Sequence, residues 1–338
     1  MRARLIISVV VVFALCYGAA SVWRRVKANP ESALEQAVEA VDAVEARATK
    51  GLLKEFEAER ATTKHDLSGE RRVAIENPFG HIVIAAGGPQ MEVERVIYAR
   101  GKDAAEAKRK AAGFKVTTKR TKESGFTIAV EGKEKEYDVG VSLTVRVPPT
   151  ADVTAYVTDG AVQVGDLQGA VKVEASSGDI VVGKVKGKVT VSTSAGSIEV
   201  KGAGGGLDAQ TSSGSLLVSN AQGPTVTART MSGAIKLHVL QTEKLIATTM
   251  SGAIEASVAQ PFSGSAEVRS ATGAILLALP ANSNCRVETA TGSGAIKCSL
   301  PLRDEKHAGP NVTGRLGAGK GKVIVTNNTG AIEVKPTR

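Results

Sequence analysis

Aromatic residues, cysteine and histidine are all scarce in this 338-residue chain. It holds one Trp, four Tyr and six Phe, and from Ala161 onward the sole aromatic is Phe262. A core without rings must be thin, filled by Val, Ile, Leu and Ala between closely spaced strands, and the same shortage removes the ring platforms on which sugars or unpaired bases stack. The three cysteines exclude a disulfide framework or a zinc pattern, because Cys16 lies in an apolar leader; Cys285 and Cys298 are left as a candidate pair in an oxidising compartment. His65, His81, His238 and His307 have no metal-ligand spacing. No glycine-rich phosphate loop stands between a strand and a helix. Acids from Asp159 to Glu288 are isolated and fall on different repeat phases, so no catalytic residue, metal or cofactor is expected. A polysaccharide-acting enzyme, which needs clustered carboxylates on one face, is the weakest functional reading.

Net charge is +9, yet the basic residues are scattered and no nucleic-acid partner is expected. Their densest stretch, Arg100 to Lys122, reads as a solvated helix face and strand edge. Arg2 and Arg4 precede an uncharged run from Leu5 to Trp23, close to the ~20 residues that span a bilayer. Residues 1–28 therefore form a membrane anchor, with residues 5–23 as the membrane partner, or an export signal cleaved near Gly18, Ala19 and Ala20. Either reading places the rest in the cell envelope, as a single-pass protein with its C-terminal domain exported or as a secreted or periplasmic one. Between Glu31 and about Arg60, apolar residues from Leu34 to Phe56 fall at helical spacing and predict an amphipathic spacer over residues 29–65.

Beyond the spacer the apolar residues alternate. Residues 66–150 read as a β-rich part with strands at Arg72 to Ile75, His81 to Ile84, Met91 to Ala99, Phe114 to Lys119, Gly125 to Val130 and Val139 to Val147. A short helix, Asp103 to Ala112, is closed by Gly113. Residues 151–338 carry the strongest signal, a Ser/Thr-Gly-x-Ile turn recurring at Gly160, Gly178, Gly196, Gly214, Gly233, Gly252, Gly273, Gly294 and Gly330. Successive intervals are 18, 18, 18, 19, 19, 21, 21 and 36 residues; Thr313-Gly314-Arg315-Leu316 reads as a degraded turn inside the last one. Apolar residues stand two and four positions after each glycine, such as Ile198 and Val200, and seven and five before it, such as Val189 and Val191. Each repeat thus supplies two short strands, and the fold expected is all-β: a single-stranded parallel β-solenoid of about 18–21 residues per rung. Nine or ten rungs at ~4.8 Å would make a rod of about 45 Å.

The outward positions show no repeated functional residue; Lys236 and Glu255 are placed for a cross-rung ion pair, and Met231 and Met250 for packing at a corner. An interruption from Leu302 to Pro310 contains Arg303, Asp304, Glu305, Lys306 and His307, read as a loop bulging from the rod and a candidate binding loop. Lys335, Pro336 and Arg338 read as residues that blunt the last strand edge.

The Ser-Gly-Asp-Ile and Ser-Gly-Ala-Ile turns, preceded by Asn77-Pro78-Phe79-Gly80-His81-Ile82, resemble those of a bacterial family of putative adhesins from about Arg71 to Arg338. That resemblance implies a non-catalytic role in binding an envelope polymer, a protein or a cell-surface ligand. It brings no catalytic or binding residues with it. The alternative role is an envelope scaffold or stress sensor that self-associates through the solenoid ends.

Overall fold

The computed structural model describes residues 54–67, 69–121, 125–132 and 138–337. The leader at 5–23 and the spacer as far as residue 53 lie outside the described residues. From Glu55 onward the chain forms one compact unit. Its strands join one sheet, which coils so that each rung gives one strand before a glycine corner and one after it.

Strands before the corner are β2 (Arg72–Asn77), β8 (Asp152–Asp159), β10 (Val171–Ser177), β12 (Val189–Ala195) and β14 (Leu207–Ser213). Those after it are β3 (Ile82–Ala86), β9 (Val162–Val164), β11 (Ile180–Val185) and β13 (Ile198–Ala203). The long strands β15 (Leu216–Ser232) and β16 (Ile235–Ser251) each end one rung and begin the next, through a bulge in β15 near Asn220. β17 (Ile254–Val258), β18 (Ser265–Thr272) and β19 (Ile275–Leu279) complete the regular stack. All these rungs pair in parallel. Ile198, Leu216, Ile235 and Ile254 are successive register partners and line one interior column, each 1 % exposed. Burying each such side chain contributes about 1.5–3 kcal/mol, which only stacking delivers because a lone rung has one apolar face.

Both ends depart from sequence order. β6 (Gly125–Glu131) pairs with β2, and β7 (Val139–Val147) with β3, both in parallel. Because β2 and β3 also pair with β8 and β9, the first solenoid rung in the chain is held between two later ones. Antiparallel strands then close this end: β4 (Met91–Gly101) against β7, β1 (Lys54–His65) against β4, and β5 (Lys115–Thr121) against β6. Between β4 and β5, α1 (Ala104–Ala111) buries Ala107 and Ala111, and the Asp103 side chain caps it by accepting the Glu106 N–H at 2.8 Å.

The other end repeats the device. β24 (Gly321–Thr329) lies between β18 and β20 (Cys285–Ser293), and β25 (Ile332–Pro336) between β19 and β21 (Ile296–Cys298). The antiparallel strands β23 (Asn311–Leu316) and β22 (Arg303–Ala308) continue outward from β20.

Several sequence expectations are corrected by this architecture. The helical spacer does not reach residue 65, since Lys54–His65 is a strand tied to β4 by ion pairs of Arg60 with Glu94 and Arg95 with Glu59, at 2.6 and 2.7 Å. Residue 150 marks no break in the ladder, because β2 pairs directly with β8. Thr313 to Leu316 is not a degraded turn but part of β23. Lys335 and Pro336 blunt no edge, because β25 is bonded on both sides. Cys285 and Cys298, whose pairing the sequence leaves open, are both free.

Candidate functional site

The nine predicted corner glycines stack directly on one another. At Gly214, φ is +143°, and a Cβ would collide with the carbonyl of Gly196 in the rung behind; the corner needs glycine both for its backbone conformation and for that approach. Three residues before the glycine stands a second column, which the spacing of glycines and aliphatics does not reveal. The hydroxyls of Thr193, Thr211, Thr230, Thr249 and Ser270 are nearly buried, and each donates to the carbonyl of the corner glycine one rung back, at 3.0–3.3 Å. Asn327 continues the column with a 2.6 Å bond to the Gly273 carbonyl. These groups satisfy acceptors that a dry interior would otherwise orphan. The isolated acids do related work: Asp152, Asp166 and Asp179 each accept a backbone N–H of the next rung, from Ala170, Lys184 and Ser197, at 2.7 Å. The glycine corner is therefore scaffold.

Arg303, Asp304, Glu305, Lys306 and His307 do not form a bulging loop. They make up most of β22, whose side chains are all exposed at the outer edge of the sheet. Asp304 pairs with Arg315, and Glu305 with His307 at 2.9 Å. A strand this dense in charge resists pairing with another sheet, the usual way an edge is protected. β1 does the same at the opposite end, with Lys54, Glu55, Glu57, Glu59, Arg60 and Lys64 along it.

The most elaborate concavity lies at the N-terminal end, a groove of about 840 Å³. The motif Asn77-Pro78-Phe79-Gly80-His81 builds one wall. Asn77 is fully buried; its amide donates to the carbonyls of Val141 (2.7 Å) and His81 (3.2 Å), and its side-chain oxygen accepts the Phe79 N–H. Because such a buried, fully bonded amide fixes the turn, Phe79 and His81 are held in place. The His81 Nδ1 accepts the Ala161 N–H at 2.9 Å, so in the neutral ring Nε2 carries the proton. On the facing wall, Tyr98 and Arg100 project from the same side of β4, and Tyr98 stands opposite Gly140 of β7, where no side chain obstructs its ring. Asp138 and Asp159 complete the lining. Arg100 lies 3.7 Å from Glu55, and Asp138 is paired with Lys110 at 2.8 Å. Among the described residues, the Asp159 carboxylate, the Tyr98 hydroxyl and the His81 Nε2 have no partner. The sequence contained one pointer to this site, the Asn77 to Ile82 motif; Tyr98, Asp138 and Asp159 are brought to it only by the pairing of β4 with β7 and by the stacked corners.

Comparison with known proteins agrees with the repeat architecture. The profile of the Toastrack DUF4097 family matches residues 90–335. The chain belongs to that family. No curated protein matches it. Solved structures similar to it include a putative adhesin from Bacteroides fragilis, 12% identical over 82% of this chain and 97% of that one, with a TM-score of 0.38. Two others are a putative cell adhesion protein from Clostridium sporogenes (9% identity, 82% and 99% coverage, TM-score 0.26) and a putative lipid binding protein from Parabacteroides distasonis (10%, 82% and 97%, 0.37).

Elsewhere on this Toastrack solenoid the outward faces are plainer. Lys236 and Glu255 form the expected ion pair at 3.3 Å, and His238 bonds Ser257 across rungs at 2.8 Å. Met231 and Met250 are not packed at the corner: they stand 57% and 59% exposed on adjacent rungs. Of the basic residues from Arg100 to Lys122, Lys108, Arg109 and Lys110 lie on α1 and Lys115, Lys119 and Arg120 on β5, where Lys119 meets Glu131 at 3.7 Å and Arg120 donates to the Asp66 carbonyl; Lys122 lies outside the described residues.

Proposed function

We propose that this Toastrack protein is a non-catalytic binding protein of the cell envelope, tethered through residues 5–23, that displays a discrete solenoid to a ligand outside the membrane. One observation carries the choice of a display role over an assembling scaffold: among the described residues, the charge-dense strands β1 and β22 occupy outer edges at opposite ends of the sheet. Open, apolar edges would let copies stack into filaments; charged ones oppose it. Supporting the non-catalytic reading, Asp152, Asp166 and Asp179 are engaged in holding rungs together. The uncharged run from Leu5 to Trp23 supports tethering and export of the solenoid. Accessibility labelling of the full chain in intact cells tests the proposal. A label placed near residue 337 is expected to react from outside; a C-terminal region reachable only from the cytoplasm would exclude it.

A further inference from the structure

We infer that the groove between the Asn77 to His81 corner and β4 binds a neutral saccharide. The inference rests on the binding role proposed above and names the ligand class of one site. Ring faces, hydrogen-bonding groups and charge all point the same way. Tyr98 and Phe79 are half-buried and line one concavity, Phe79 being held by a T-shaped contact with Phe114 at 5.1 Å, in a protein whose other outward rings are few. Pyranose rings present C–H faces that pack on aromatic side chains, and Tyr adds a polar tip to an apolar body. Three polar groups that line the same groove have no partner among the described residues: the Asp159 carboxylate accepts, the His81 Nε2–H donates, and the Tyr98 hydroxyl does either. A ring carrying adjacent hydroxyls offers both donors and acceptors to such a set. Arg100 faces Glu55 and Asp138 holds Lys110, so among the described lining residues Asp159 is the charge left without an opposite partner, which favours a neutral ligand over an anionic one. A volume of about 840 Å³ suits a short oligosaccharide, within the ~300–1,000 Å³ of small-ligand sites. The wall is also rigid, because the buried Asn77 and the bond from Ala161 to His81 fix the corner before any ligand arrives.

The test is a screen of the purified full chain against immobilised neutral and acidic oligosaccharides, followed by calorimetry on the best binder. Neutral sugars are expected to bind and acidic ones not. Tyr98→Ala should weaken binding at least tenfold and Asp159→Asn several-fold, whereas Tyr156→Ala, on the outward face of β8, should leave it unchanged. Should Tyr98→Ala fail to fold, Tyr98→Phe, which keeps the ring, decides together with Asp159→Asn: both should melt like the parent and bind more weakly. Preference for acidic sugars, or neutral binding indifferent to Tyr98 and Asp159, overturns the assignment. Capture of an envelope protein by a chain that binds no sugar overturns the ligand class alone; capture of nothing from the envelope overturns the binding role as well.

Discussion

At the corner of each rung, one hydrogen atom on Gly214 separates a stacked solenoid from a collision. Gly214→Ala adds a Cβ against the Gly196 carbonyl at a φ of +143°, and the chain is expected to lose about 1–3 kcal/mol from backbone strain with the clash added. Urea denaturation followed by circular dichroism measures it; a change below about 0.5 kcal/mol would refute the account of the column. The hydroxyl beside it makes a finer prediction. Thr230→Val keeps the shape but leaves the Gly214 carbonyl unbonded, at a cost of about 1–3 kcal/mol, while Thr230→Ser retains most of the stability. Buried Cys285 adds a pH signature, since desolvation pushes its thiol up to about 11 from an ordinary value near 9. Below pH ~9 the thiol is protonated folded or unfolded and contributes no pH dependence; between about 9 and 11 the folded state holds the extra proton, so stability falls as pH rises. Subtracting the pH profile of Cys285→Ala from that of the parent should isolate this decline, and a flat difference would contradict the burial.

Strands and their order show how far a sequence carries. The glycine spacing and the period-two apolar pairs are local facts, and Ile198, Leu216, Ile235 and Ile254 meet in the column they predict. α1 was equally legible, because Asp103 and Gly113 punctuate it. Lys54–His65 was not: Phe56 and Ala58 fit the end of a helical stripe and an alternating strand alike, and pairing with β4 decides between them. Rung order was illegible for a deeper reason. An interval of 36 residues between Gly294 and Gly330 is the same whether the chain adds rungs outward or doubles back, as it does, to slot β24 and β25 inside β20 and β21. Deleting residues 321–338 distinguishes these cases. Outward stacking would forfeit only a last rung, whereas the observed order strips β18, β19, β20 and β21 of their shared neighbours. Limited proteolysis of that truncation should therefore cut throughout residues 280–320, and protection there would argue against the inserted rung.

For the whole molecule, the unit from Glu55 onward is a series of ladders in which two of the outer strands, β1 and β22, carry dense mixed charge. Sedimentation of the full chain solubilised in mild detergent should give one mass across a hundredfold range of concentration. Replacing Arg303, Asp304, Glu305 and Lys306 by Thr and Val should convert that behaviour to concentration-dependent association. The groove belongs to this scale too: no segment of sequence contains it, because Phe79, Tyr98, Asp138 and Asp159 come from four places in the chain that only the coiled fold unites.

The doubled-back ends also govern how the protein comes apart under load. An unfolding motor that seizes the chain beyond Thr337 cannot peel a free outer layer, since β25 is clamped by β19 and β21, and Thr337 itself is bonded to Leu279 and Val258. It must drag a strand lengthwise through two rows of hydrogen bonds at once, loading them in shear rather than one by one. Digestion from the tail is thereby made slow by topology, in a molecule whose individual rungs are each only a few residues deep.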